Sequence, residues 1–230
     1  MKLAETRLRQ FGARIRNAGT QALTYGAAGL ASFVLPVKQF MAFDDAIRAT
    51  GAVSMSTADE LQQLNDKALE LGRTTSFTAV EVANLMTELG RAGFRPDEIN
   101  TMTGAVLDLA RATKTDAVIA SGIMAATIRQ FSMGAEHATH VANVLTLAAN
   151  KTFNSVESLG EALSYAGPVA ADMGVSLEDT VAMLGMLGNV GIQGSNAGTA
   201  MRRLTTMTAA EAEKMKEIFG VSFLDSAGNA

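Results

Sequence analysis

Residues 57–93 read TADELQQLNDKALELGRTTSFTAVEVANLMTELGRAG, and this stretch decides the fold class. It encodes two helices in series. Thr57-Ala-Asp-Glu60 is a capping box, in which the hydroxyl satisfies one orphan backbone N–H of a helix start and the carboxylate reaches back to another. Leu61, Leu64, Ala68 and Leu71 then share one face, and Gly72 supplies the stop. Thr78-Ala-Val-Glu81 repeats the device ahead of Val82, Leu85, Met86 and Leu89, with Gly90 and Gly93 beyond.

The same grammar runs downstream. Pro96-Asp97-Glu98 is a helix start, because proline suits the first helical position and acids suit the positive end of the helix dipole. Ile99, Met102, Val106, Leu109 and Ala110 give that helix its buried face. Thr115-Asp116 opens a helix through Ile128 and Phe131 to a break at Gly134, and another runs from Ala135 to Ala149. Ser155 and Ser176 open two more, Ser195 or Asn196 caps a segment holding Met201 and Leu204, and Thr208-Ala-Ala-Glu211 begins a last helix that ends before Gly220. Val221 to Gly228 reads as a short strand running into a turn, and it lacks a partner strand, which suggests a piece of something longer. The expected class is all-α: a multi-helix array of capped hairpins with a strand-like C-terminal end.

Upstream the character changes. Lys2, Arg7, Arg9, Arg14 and Arg16 against Glu5 make the first sixteen residues +4, while the net charge of −4 leaves −8 for the rest. Arg7, Arg9, Arg14 and Arg16 are therefore the candidate contacts for phosphate or anionic lipid, and the remainder argues against nucleic-acid binding through a basic surface. Residues 17–37 carry no charge and include Leu30, Phe33, Val34 and Leu35. Their hydrophobicity is borderline for a membrane span, because Gln21, Tyr25, Gly26, Gly29, Ser32 and Pro36 interrupt it. A partner-covered helix, a membrane-contacting helix and a signal peptide all stay open. This divides the chain into a basic then apolar helical segment (1–43), a helical core (44–220) and the start of a strand and turn (221–230).

Two halves of the core echo each other. Phe77, Val80 and Glu81 recur as Phe153, Val156 and Glu157, 76 positions on, whereas Gly93 recurs as Gly174 and Met102 and Gly104 as Met183 and Gly185, 81 positions on. About five residues have been inserted between these matches.

Chemistry is sparse. The absence of cysteine excludes disulfides, thiolate metal sites and cysteine nucleophiles. Glu136-His137-Ala-Thr-His140 holds the only histidines, but their spacing of three, with the glutamate outside the pair, matches no hydrolytic zinc pattern. No nucleophile elbow, phosphate-binding loop or dinucleotide fingerprint occurs. Asp44-Asp45 and Glu178-Asp179 are read as acids at helix starts. No catalytic, cofactor-binding or metal residue is assigned, and no cofactor is expected. Thirteen methionines suit adaptable packing.

Thr180 to Met201 is uncharged and carries Gly185, Gly188, Gly191, Gly194 and Gly198. Glycine in a helix costs up to about 1 kcal/mol against alanine but lets backbones approach closely. A helix end with a tight loop at 189–194 is one reading, and a self-association or membrane-contacting segment is the other.

FDDAIRATGAVS (43–54), LGRTTSFTAVEVANLMTELGRAGF (71–94) and NSVESLGEALSYAGPVAADMGVSLEDTVAMLGMLGNVGIQGSNAGTAMRRL (154–204), in this order, resemble the core region of the tape measure proteins of long-tailed phages and related contractile particles. Gly191-Ile-Gln-Gly-Ser195 with AGTAMRRL after it is the most specific part. The resemblance implies a virion structural protein of the tail tube lumen or tail tip, made in the host cytoplasm, that sets tail length and leaves ahead of the DNA. Implied partners are the tail tube, baseplate or hub proteins, assembly chaperones, further copies of itself (three being the number the family suggests) and the host inner membrane. It carries over no catalytic residue. As one helix, 230 residues would reach only about 345 Å at 1.5 Å per residue, so this stretch is a folded domain and not the ruler. A membrane-perturbing or pore-forming helical protein is the alternative that residues 17–37 and 180–201 raise.

Overall fold

The computed structural model describes the backbone of residues 27–210 and the side chains of residues 37–207. Among the described residues there are nine α-helices, one 3-10 turn and no strand. The helices are α1 (Ala27–Ser54), α2 (Ala58–Thr74), α3 (Ala79–Arg91), α4 (Pro96–Thr113) and α5 (Ala117–Gln130). After the 3-10 turn Ala135–His137 come α6 (Ala138–Lys151), α7 (Val156–Asp172), α8 (Leu177–Asn189) and α9 (Gly194–Ala210). The all-α expectation holds, while the strand expected at 221–230 and the basic residues Arg7, Arg9, Arg14 and Arg16 lie outside the described residues.

The capping signals work as read. Thr57 N–H donates to Glu60 Oε2 at 2.7 Å and Glu60 N–H donates to Thr57 Oγ1 at 3.3 Å. Thr78 and Glu81 make the same pair at 2.7 and 3.2 Å. Asp116, Ser155 and Ser176 each accept from backbone N–H groups of the helix that follows. Other signals were overridden. Asp44 and Asp45 sit inside α1, which runs unbroken from Ala27 to Ser54, so they do not mark a helix start. α2 continues past Gly72 to Thr74. α9 starts at Gly194, so Ser195 and Asn196 lie in its first turn, and it runs through Thr208, which is therefore no cap. No glycine or proline separates Gly198 from Gly220, and an alanine-rich run gives a helix no reason to stop at Thr208.

The chain forms two compact units, Met1–Asp45 and Ala46–Ala230, and α1 belongs to both. Within the second unit the packing rule is uniform: from α2 onward each helix packs against the next and the next but one. The even-numbered helices therefore form one row, α2–α4–α6–α8, and the odd-numbered ones another, α3–α5–α7–α9. Leu64, Leu85, Leu89, Ile99, Met102, Met124, Leu145, Leu159 and Leu163 are fully buried between the rows. A row architecture of this kind is the helical-repeat solution, in which each unit covers only its neighbours.

The repeat is thus real, but its register differs from the one the sequence offered. Met55 and Ser132, 77 positions apart, both adopt left-handed backbone at φ 52 and 51, and Lys114 and Gly191, again 77 apart, do so at φ 58 and 87. The caps Thr78 and Ser155 keep the same spacing. Gly93 and Gly174, at φ 84 and 74, are 81 apart. The difference arises because α7 has 17 residues where α3 has 13, and it is reversed because α8 has 13 where α4 has 18. The added segment is about one helical turn, which leaves the faces in register. Matching Phe77 to Phe153 is one residue out: Phe77 corresponds to Asn154, since their N–H groups donate to Thr75 Oγ1 and Thr152 Oγ1 respectively.

Candidate functional site

The polar side chains serve the helix starts and joints. Glu60 is held below the ordinary carboxylate range by the Thr57 backbone N–H and then the Thr57 hydroxyl. Glu157 is held low by its own backbone N–H and, against partial burial, by the hydroxyls of Ser155 and Thr115. The Thr50 and Thr87 hydroxyls are buried 2.8 Å apart, and Ala83 O lies 3.1 and 3.0 Å from them; one hydroxyl donates to the other and the second donates to a carbonyl, which draws α1 against α3. Arg129 stacks 4.2 Å from the centre of the Phe94 ring and donates to Gly93 O at 2.9 Å, fixing the α3–α4 turn on α5.

The histidines separate in role. His140 Nε2 lies 2.7 Å from Glu178 Oε1 and ties α6 to α8, while His137 stands 3.8 Å from Glu136. Both pairs are about half exposed, where an ion pair contributes little. Among the described residues no group of three or more His, Asp or Glu is placed to hold a metal ion.

The surface hollows are small and lined by few residues. One of about 360 Å³ is lined by Thr199, Arg202, Arg203, Thr206 and Met207, and one of about 240 Å³ lies between Glu88, Arg91 and Ala92 on one side and Gly122, Ala125, Ala126 and Arg129 on the other. They are repeat equivalents, since Gly122, Ala125, Ala126 and Arg129 stand 77 positions before Thr199, Arg202, Arg203 and Thr206. Alanine in one copy and arginine in the next, at the same place, is not the signature of a shared small-molecule site.

The glycines of 180–201 fall into two groups. Gly185, Gly188, Gly194 and Gly198 are buried at helix crossings. A Cβ at Gly185 would stand 2.9 Å from Thr152 Cγ2, one at Gly188 would meet the Asn154 side chain, and one at Gly198 would meet the carbonyl oxygen of Ala162 on α7. Gly194 faces Glu161 of the same helix. Asn154 also donates to Leu184 O at 3.2 Å, so its amide fills the gap that Gly188 leaves. Gly191 is exposed and takes φ 87, the left-handed backbone that ends α8. Leu30, Phe33, Val34 and Leu35 lie within α1. No helix among the described residues is long and apolar enough to cross a membrane.

What the surface does offer is apolar. Met183 and Met186 on α8 and Val190 just past its end form one stripe and are 36, 64 and 74% exposed, with Phe153 at 78% and Ile192 at 38% beside the α8 C-terminus. Gln193 donates to Phe153 O and Asn189 accepts from Phe153 N–H, which holds these loops together. The sequence reading stopped at the glycines and missed this stripe. Its signal was there: Val181, Met183, Leu184, Met186, Leu187 and Val190 surround α8 with apolar groups, a pattern that normally marks a helix covered on all sides.

The fold and its surface define a helical repeat scaffold that offers packing faces instead of a polar pocket. The family model for phage-related minor tail proteins matches residues 65–230, and the chain belongs to this family. It is 37% identical over 227 residues to the tape measure protein of Pneumococcus phage Dp-1, and 30% identical over 221 residues to the probable tape measure protein of Escherichia phage P2. These alignments cover 96 and 94% of this chain but only 20 and 27% of the relatives, so the chain spans about a fifth to a quarter of the proteins it resembles. No solved structure matches it. A role in the phage tail follows from this kinship.

Proposed function

We propose that the chain is the folded, partner-binding region of a tape measure protein, a non-enzymatic virion component that acts in tail length determination, tail assembly and genome ejection through the host envelope. The observation that carries this reading is the alignment along nearly the whole chain to two proteins named for that role. The helical row architecture supports it, because stacked helices present long faces to other proteins. Measuring length falls to the remainder of such a protein, since even a fully helical chain of this size reaches only about 345 Å.

In this reading residues 44–220 are the core that docks on the tail tube, the baseplate or hub and the assembly chaperones, and copies of the chain self-associate, with three-fold symmetry as the working model. Of the glycines in 180–201, the exposed Gly191 turn contributes to that association, while Gly185, Gly188, Gly194 and Gly198 are taken up by helix crossings within the chain. Leu30, Phe33, Val34 and Leu35 meet a partner or the host inner membrane, and Arg7, Arg9, Arg14 and Arg16 meet anionic groups, with no sequence-specific nucleic-acid binding. The protein resides in the tube lumen or at the tail tip, and in the host cytoplasm during assembly. Co-sedimentation of the full chain with purified tail tubes, run beside a leakage assay on anionic phospholipid vesicles, tests this. Binding to tubes without leakage is expected. Leakage without tube binding would replace the tail reading with the membrane-perturbing one.

A further inference from the structure

α6 is an interior helix of the even-numbered row, packed against α4, α5, α7 and α8. Its outward side therefore lies between described neighbours on both flanks. α2 holds the equivalent place one repeat earlier: with the 3-10 turn before α6 counted in, residues 135–151 correspond to 58–74, 77 positions apart. The register is anchored at the far end, where the Thr75 and Thr152 hydroxyls donate to Leu71 O and Ala148 O at 2.7 and 2.9 Å. One outer face of the chain can thus be compared with another, position by position.

On α2 the outer stripe is Asp66, Glu70, Arg73 and, just past the helix, Ser76, all exposed. On α6 it is Asn143, Leu147, Asn150 and Phe153, again all exposed, with Leu147 at 61% and Phe153 at 78%. Three ionised side chains have become two amides and a leucine, and a serine has become a phenylalanine. The fold does not require this, because the α2 copy satisfies the same face with charged and polar groups. Large apolar side chains set out at helical spacing on a face that polar ones could fill mark a surface for a partner.

Phe153 is also held in place. Its N–H donates to Asn189 Oδ1 at 3.1 Å, and its carbonyl accepts from Gln193 Nε2 at 2.5 Å. Two side chains from the end of α8 and the turn beyond it thereby fix the backbone beneath the ring. One repeat earlier the places of Asn189 and Gln193 belong to Ala112 and Asp116. Alanine has no polar group to offer, and Asp116 caps α5 instead. The clamp and the exposed ring accordingly come together in the second repeat. A side chain carried on a backbone already fixed loses less freedom when it binds.

We propose that the face formed by Asn143, Leu147, Asn150 and Phe153 docks an uncharged, apolar segment of the tail tube protein, with Phe153 as its anchor. This rests on the tail reading above and gives it a surface. Charge selects the occupant. Ionised groups covered by a partner lose their water, which costs free energy unless each is paired, and this face has shed the three that α2 carries. A partner bringing charges of its own would set them against amides and hydrocarbon. Lys151 stands at the rim, exposed, in the last turn of α6 where it complements the helix dipole. A second copy presenting its α2 stripe fails on the same ground, since it would bring Asp66, Glu70 and Arg73.

Returning the face to the chemistry of its own equivalent tests this. Leu147→Glu and Phe153→Ser place on α6 the residues that α2 carries, a pattern this fold already accommodates, and unchanged circular dichroism checks that it does. The full chain is titrated against purified tail tubes by co-sedimentation. Phe153→Ser should raise Kd about 30-fold, the equivalent of the roughly 2 kcal/mol that defines an interface hot spot, and Leu147→Glu about tenfold or more, while Glu70→Leu on α2 leaves Kd within about twofold. Binding of the unmodified chain should change little between about 50 and 500 mM salt, because no ion pair is there to screen. Variants that bind tubes as the unmodified chain does would overturn this proposal and leave the tail reading standing, whereas an unmodified chain that ignores tubes would overturn both. Binding abolished by salt would mean a charged occupant, and a free chain whose mass by sedimentation velocity falls on Phe153→Ser would mean a second copy; either result overturns the proposal.

Discussion

Gly198 and Gly122 lie one position out of register on repeat-equivalent helices, yet alanine has opposite consequences at the two. At Gly122, inside α5, a Cβ meets nothing within 4 Å. Replacing it therefore leaves only the loss of unfolded-state freedom, a gain of about 0.5–1 kcal/mol. At Gly198, on α9, the same Cβ lands on the carbonyl oxygen of Ala162 and 2.9 Å from Tyr165 Cβ, both on α7. A backbone carbonyl cannot swing aside as a side-chain tip does, so the helices must part. Overpacking of this kind costs about 1–3 kcal/mol, which exceeds the helix-propensity gain of about 1 kcal/mol. The net expectation is a loss of up to about 2 kcal/mol for Gly198→Ala, and a separation of about 0.5–3 kcal/mol between the two variants. In a chain of this size each kcal/mol moves Tm by about 2–4 °C. Urea unfolding followed by circular dichroism, with calorimetry alongside, reads both values, and an unchanged m-value shows that stability alone has moved. A Gly198→Ala protein as stable as its parent would refute the claim that this glycine exists to bring α9 onto α7.

Three further outcomes follow from the same structure. Thr78→Ala removes the hydroxyl that accepts from Glu81 N–H and should cost about 1 kcal/mol by urea unfolding; no change would mean that α3 is held by packing alone. Leu159→Ala, at a side chain with no exposure, should cost about 2–5 kcal/mol, and a loss below 1 kcal/mol would contradict the tight packing between the rows. Glu60 has its folded pKa depressed by Thr57, so its contribution is present above the unfolded carboxylate value and is lost as pH falls through the lower folded one. Thr57→Val should therefore flatten the acid limb of the stability curve below the ordinary carboxylate range while leaving the neutral region nearly parallel. A steeper acid limb in the variant would invert the assigned sign.

The helices were legible because their signals are local. A hydroxyl or carboxylate at the residue before a helix satisfies N–H groups that every helix start leaves open, whatever the rest of the chain does. Thr57, Thr78, Asp116, Ser155 and Ser176 accordingly cap where the sequence placed them. The signals failed where they were outweighed. Thr208 has cap chemistry but sits in a run of good helix formers without a break, and Asp44-Asp45 sits mid-helix for the same reason. The family resemblance was equally local, since ordered short motifs survive in one dimension.

Burial could not be read this way. Val181, Met183, Leu184 and Met186 are all apolar, and nothing in their composition says that Val181 and Leu184 are covered while Met183 and Met186 face water. That depends on which helix lies next but one, and for α8 it is missing among the described residues. The repeat register was also a tertiary matter, because one added turn in α7 and one removed from α8 leave the faces unchanged but shift every simple alignment between them. By itself, then, the sequence determined the fold class, most helix starts, the lack of any recognised catalytic motif and the tail kinship. Only the tertiary structure decided that the repeat is 77 residues long, that four glycines of the 180–201 stretch are consumed inside the fold, and that the open face belongs to methionine and valine. The physical reason is range: caps and propensities act within about one helical turn, whereas exposure is fixed by partners far away in the chain.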